Sequence, residues 1–194
     1  MNLKLNDMKT IKNALLLLLA FNFVVACSNS DDPEPVNEEE VITTLEVTLT
    51  PEGKSANVIL KSVDLDGDGP NEPVLSITGN FTANTVYDGT MLILNETEIP
   101  AEDVTVEILE EDDEHQFFFS FTNDIATATY NDADEDGNPI GVQFKLTTGN
   151  AGTGNATFIL KHEPNKNAEG VSEGNMANAG GSTDIEATFT ITVQ

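Results

Sequence analysis

The sequence predicts an all-β fold, an antiparallel Ig-like β-sandwich, on three observations. Apolar and polar residues alternate with a period of two in runs of strand length. These runs are rich in β-branched residues and are separated by Gly, Asn, Asp and Pro. Nine of them follow one another without the repeated helical segments that a parallel α/β fold requires.

The first run sets Val41, Thr43, Leu45, Val47 and Leu49 against Ile42, Thr44, Glu46, Thr48 and Thr50, so one set faces a core. Pro51-Glu52-Gly53-Lys54 turns the chain into a second strand over 56–63. Further strands are predicted over 74–78, 90–94, 116–121, 125–130, 140–147, 155–161 and 185–193. Residues 100–109 carry two patterns. Pro100 followed by Glu102 and Asp103 begins like a helix, whereas Val104, Val106 and Ile108 alternate like a strand; the balance favours one short helix. From Glu163 to Thr183 run 21 residues rich in Gly, Asn and Ala. A connection of that length inside a domain is often functional. Asn165, Asn167, Asn175, Asn178 and Asp184 offer polar contacts there.

The segment before these strands has a different character. Lys4, Lys9 and Lys12 precede an apolar run, and Ala14 to Ala26 spans 13 residues, about 20 Å as a helix and short of the ~30 Å hydrocarbon core. Residues 1–26 therefore read as a secretion signal rather than a membrane span. Val24-Val25-Ala26-Cys27 resembles a lipobox, which implies cleavage before Cys27 and its lipidation. Cys27 is the chain's one cysteine, so it has no partner for an internal disulfide. Residues 27–40, with Pro33, Pro35 and the acidic run Glu38-Glu39-Glu40, read as an extended tether, and 41–194 as one domain. The acids just after Cys27 resemble the export signal of Bacteroidota lipoproteins, which implies the outer membrane with the domain facing the cell exterior.

The chain carries 34 acidic and 8 basic side chains, net −26. Residues 1–26 hold three of the lysines and one aspartate, so the remaining 168 residues have 33 acids against 5 bases, net −28. Such a surface repels nucleic acid and anionic headgroups and attracts cations or basic partners. Attachment to a membrane is therefore expected through the lipid and not through a basic patch.

Two stretches have the D-x-D-x-D-G pattern in which alternate carboxylates converge on calcium: Asp64, Asp66, Asp68 with Glu72 following, and Asp132, Asp134, Asp136. The twelfth positions, where an EF-hand needs an acid, are Leu75 and Gln143, so any such site is completed from elsewhere. Aspartate-glycine turns between strands account for the same residues without a metal. A second constellation rests on the only histidines. His115 closes the acidic run 110–114, and His162 stands in Lys161-His162-Glu163-Pro164. Two imidazoles with Glu114 and Glu163 beside them can hold zinc if the fold brings them together. Without that meeting, the acidic run is a solvated loop. No G-x-S-x-G, H-E-x-x-H or P-loop is present, and carboxylate pairs are too many to mark a catalyst, so a non-catalytic role is expected.

Leu65-Asp66-Gly67-Asp68-Gly69-Pro70-Asn71, Asp113-Glu114-His115-Gln116, His162-Glu163-Pro164 and Asn178-Ala179-Gly180-Gly181 resemble segments shared by small flavobacterial outer-membrane lipoproteins. The resemblance covers most of 41–194 and implies no particular activity. Members of that family are sometimes named for a type 1 periplasmic-binding fold, which needs alternating strands and long helices and more chain than 168 residues. The functional expectation is a surface-exposed lipoprotein that captures metal or a small ligand for an outer-membrane transporter. The alternative is a calcium-stabilised adhesive or structural domain.

Overall fold

Alternation along the chain sets the architecture. A computed structural model describes residues 40–53, 56–67 and 69–194. Cys27, the secretion signal, the tether up to residue 39 and Asp68 lie outside the described residues. In chain order the strands are β1 (Thr44–Pro51), β2 (Val58–Val63), β3 (Val74–Thr78), β4 (Val86–Asn95), β5 (Glu102–Asp103), β6 (His115–Phe121), β7 (Ala126–Tyr130), β8 (Gln143–Thr148), β9 (Gly152–His162) and β10 (Ser182–Val193). A short helix, α1 (Val104–Glu110), separates β5 from β6. Among the described residues no helix is long and apolar enough to cross a membrane.

All the strand pairs are antiparallel and form two sheets. The larger has the order β3-β2-β1-β4-β8-β7, with β5 attached to β4; the smaller has the order β10-β9-β6. Leu45, Val47 and Leu49 of β1 and Val58 and Leu60 of β2 are wholly buried on the inner face of the larger sheet. Phe117, Phe158 and Phe189 fill the inner face of the smaller one. The faces meet through aromatic rings: Phe158 lies 6.2 Å from Phe144 of β8 and 6.1 Å from Phe189. Burying rings of this size against one another is the main favourable term of such a core. Gly89 makes room for it, because a Cβ there would fall 2.4 Å from the Phe144 ring. The expected sandwich is therefore the fold.

Each strand expected from the sequence is present. β5 is additional, and it moves the start of the helix. Asn95 and Leu94 pair with Glu102 and Asp103, so those residues stay extended. The helix begins at Val104 and not near Pro100, with the Asp103 side chain accepting from the Thr105 N–H at 3.1 Å. Val104 and Ile108 then bury on one face.

The connection from Glu163 to Gly181 closes on itself and covers the outer face of the smaller sheet. Asn165 donates to Ala179 O and Asn175 to Gly170 O, and the Asn178 amide reaches Glu169 O. Val171 and Ala179 bury against Phe118 and Ile159, forming a second small core. Gln116 of β6 supports it from below by donating to Val171 O at 2.9 Å.

Candidate metal centre

His115 begins β6 and His162 ends β9, and they are register partners in the ladder between those strands. Period-two alternation puts His115 on the same face as Phe117 and His162 on the same face as Leu160, so both imidazoles point inward at one end of the sandwich. They are 0% and 2% exposed, with ring centroids 4.6 Å apart and planes at 22°. The two histidines singled out in the sequence thus meet in space.

Two acids complete the group. Glu40 comes from the chain just before β1, and its carboxylate lies 3.0 Å (Oε1) from His115 Nε2 and 3.5 Å (Oε2) from His162 Nδ1. Asp184 Oδ1 lies 4.0 Å from His162 Nδ1. Its position comes from a register shift in the β9–β10 ladder. Thr183 pairs with Lys161 and Ile185 with Leu160, so Asp184 is the extra residue of a bulge. A bulge re-aims a side chain in this way. Gly181, at φ +64°, allows the close approach that brings β10 to β9 there: a Cβ would fall 2.1 Å from His162 O.

The hydrogen bonds around the rings orient them. His115 Nδ1 is 3.1 Å from Glu111 O, and a carbonyl only accepts, so this nitrogen carries a proton. Nε2 is thereby left facing the Glu40 carboxylate, where it holds either a second proton or a cation. His162 turns Nδ1 toward Glu40 and Asp184 and Nε2 toward Glu114, whose Oε2 is 3.7 Å away. Glu40 Oε2 and His162 Nδ1 are buried without a hydrogen-bond partner among the described residues. Two side-chain carboxylates only 4% and 2% exposed need compensating positive charge, which either two imidazolium protons or one divalent cation supplies.

The spacing fits a cation. One donor atom from each of Glu40, His115, His162 and Asp184 lies within 4.8 Å of all the others. A tetrahedral zinc with ligands at ~2.0–2.1 Å places them roughly 3.3 Å apart, and small inward movements reach that from the separations present. The hydrogen bond from His115 Nδ1 to a backbone carbonyl is of the kind that orients a metal-bound imidazole, and Glu114 Oε2 stands 3.7 Å from the outer nitrogen of His162, beyond hydrogen-bond length. A cavity of about 350 Å³ reaches the two acids between Ile42, Ser62, Asp64 and Glu186. Asp64 and Glu186 make its wall negative, which favours entry of a cation. Glu114, His162 and Glu163 form a second, outer group on the other edge of the His162 ring, with both glutamates exposed.

The acidic loops are arranged differently. Asp132 accepts from Gly141 N–H at 2.7 Å and Gln143 N–H at 2.6 Å, one bond to each oxygen. Asp134 accepts from Asp136 N–H and Asn138 N–H through Oδ1, and Oδ2 faces the ammonium of Lys166 at 3.1 Å. Lys166 also donates to Asp112 O. The cation of this loop is therefore a lysine, and among the described residues Asp132, Asp134 and Asp136 do not converge on one point. In the first loop Asp66 accepts from the Asn71 amide at 2.8 Å, and Asp64 accepts from Asp66 N–H. Glu72 is exposed, and Asp64 lines the entrance to the histidine centre instead.

The sequence marked His115 and His162 but read Glu40 as tether and Asp184 as a loop contact. Asp184 does leave a trace: Ile185, Ala187 and Phe189 alternate inward, and an acid directly before such a series, after Gly180-Gly181, marks a strand entry with an added residue. No protein-family model, curated protein or solved structure matches the chain.

Proposed function

We propose that this chain is a lipid-anchored outer-membrane protein whose sandwich captures one divalent transition-metal ion, zinc in the first instance, and holds it without catalysing a reaction. The observation that carries this reading is the convergence of four buried donors, His115 Nε2, His162 Nδ1 and the carboxylates of Glu40 and Asp184, on one end of the core. Two imidazoles and two carboxylates suit zinc, and their two negative charges balance a divalent ion. Four protein ligands leave no open position for water or substrate, which separates a holding site from a hydrolytic one.

The anchor rests on residues 1–27 and the surface placement on the acids that follow Cys27. An outer-membrane transporter is the partner that suits such a carrier. The acidic surface around the entrance raises the local concentration of cations.

Zinc titration by calorimetry tests the site. One zinc per chain is expected for the wild type and none for the His115→Ala, His162→Ala double variant. Equal weak binding by both would remove the metal reading in favour of a structural or adhesive domain. Cell fractionation of Cys27→Ala tests the anchor, with loss of processing and of membrane retention expected.

A further inference from the structure

The metal centre draws its ligands from two separate parts of the fold. His115, His162 and Asp184 belong to β6, β9 and β10, the three strands of the smaller sheet. Glu40 belongs to the chain entering β1, the middle of the larger sheet. The hold on that entry is otherwise slight. Val41 is 57% exposed, Ile42 packs only partly against the core, and the first backbone hydrogen bond of the entry among the described residues is Thr43 N–H to Leu94 O. Glu40 is fixed by its side chain, through the two histidines.

From this we infer that the metal ion acts as a clasp: when bound, it fastens residues 40–43 to the smaller sheet through Glu40 more tightly than the contacts of Glu40 with the two histidines do alone, and its loss loosens that chain. The inference rests on the metal reading above. An ion shared by Glu40 and three ligands of the other sheet adds bonds between parts of the chain that no backbone ladder joins. Occupancy of the site is thereby coupled to how firmly Glu40 and the residues that follow it are held against the smaller sheet.

A glutamate-specific protease reads this directly, because cleaving the Glu40–Val41 bond requires the Glu40 side chain to enter the protease. The full chain is digested with zinc and with a chelator, and the fragment beginning at Val41 is followed by mass spectrometry. Zinc is expected to slow its appearance at least tenfold in the wild type and to leave the rate unchanged in the His115→Ala, His162→Ala double variant, which also controls for zinc acting on the protease. In parallel, Glu40→Gln is expected to keep a site of three ligands and bind zinc roughly tenfold or more weakly, at least the loss typical of removing a partner that only orients a ligand. If the wild type binds zinc in calorimetry but is cleaved at Glu40 equally fast with and without it, the clasp is wrong and the metal site stands. Unchanged affinity in Glu40→Gln would overturn the clasp as well. Failure of the wild type to bind zinc at all overturns both.

Discussion

Lys166 Nζ lies 3.1 Å from Asp134 Oδ2, with the two side chains 4% and 2% exposed, so three loops meet on one internal cation. The loop after β7 supplies Asp134, the turn after α1 supplies the Asp112 carbonyl, and the long connection before β10 supplies the lysine. Removing one partner of such a pair leaves a buried charge without compensation, which costs about 3–5 kcal/mol. Lys166→Met is expected to lower stability by that amount in urea denaturation. Adding Asp134→Asn should restore part of it, since the uncompensated charge is then gone. A Lys166→Met variant as stable as the wild type would show that the pair contributes nothing.

The same carboxylate gives stability a dependence on acid. Burial pushes the Asp134 carboxyl up, but the Asn138 N–H, the Lys166 ammonium and the Asp136 N–H outweigh burial and hold it below its ordinary value. With a depressed folded value, the unfolded chain takes up the proton more readily. The stabilisation is complete above the unfolded value of about 3.9 and is lost as pH falls through the folded one. The stability difference between the wild type and Asp134→Asn should therefore be constant near neutrality and shrink below about pH 4. A difference that persists unchanged into stronger acid contradicts this.

Tyr130 titrates at the other extreme. Burial, opposed by the Gln116 amide and assisted by the charge of Asp132, pushes its phenol up to about 12. The hydroxyl donates to Phe117 O at 2.8 Å and accepts from Gln116 Nε2 at 3.1 Å. A raised folded value means that the stabilisation is present below the unfolded value of about 10 and is lost as pH rises through the folded one. Phenolate absorbance should show a late step that Tyr130→Phe abolishes, and that variant should lose about 1 kcal/mol at neutral pH. A Tyr130 absorbance step with its midpoint near pH 10 would rule out the buried phenol.

Gly181 is the backbone condition for the proposed metal site. A side chain there meets His162 O and the Glu163 carbonyl group, and φ is +64°, a region that disfavours any residue with a Cβ. Gly181→Ala should cost more than ~1 kcal/mol. By pushing β10 from β9 it should also displace Asp184 and weaken zinc binding roughly tenfold or more, as loss of ligand orientation does. Full zinc affinity in a destabilised variant would show that the glycine serves the fold alone.

Most strands were legible through their alternation, from Leu45, Val47 and Leu49 at one end to Ala187, Phe189 and Ile191 at the other, whereas β3 and β6, exposed throughout or buried in a continuous run, were legible as short apolar stretches between turn residues. β5 was not, since Glu102-Asp103 has no apolar residue and extends only because Asn95 and Leu94 offer a free edge. His115 and His162 could be singled out as the only histidines, but their meeting depends on the β6–β9 register, which local pattern does not fix. Glu40 was hidden in a run of three identical residues, Glu38-Glu39-Glu40, with nothing local to set it apart. The D-x-D-x-D-G loops show the opposite case. Their pattern is that of a cation loop, and in the second one the cation is the chain's own Lys166, 32 residues beyond Asp134 in sequence and invisible to local reading.

The central place of β1 has a mechanical consequence. A pull applied through residue 40 enters the fold at a strand that is zipped along one side to β2, from Thr44 to Leu49, and along the other to β4, from Thr44 to Pro51. Tension along β1 must shear both ladders together rather than peel an edge one bond at a time, and it must also draw Leu45, Val47 and Leu49 out of the core. Forced unfolding follows the height of the unfolding barrier rather than the equilibrium stability. The β1 end is thus the stiff end of the fold. Strand β10 is paired with β9 alone along most of its length, and at its end Val193 bridges Phe81 while Gln194 hydrogen-bonds to Phe81 and Ala83, so a pull there meets one full ladder rather than two.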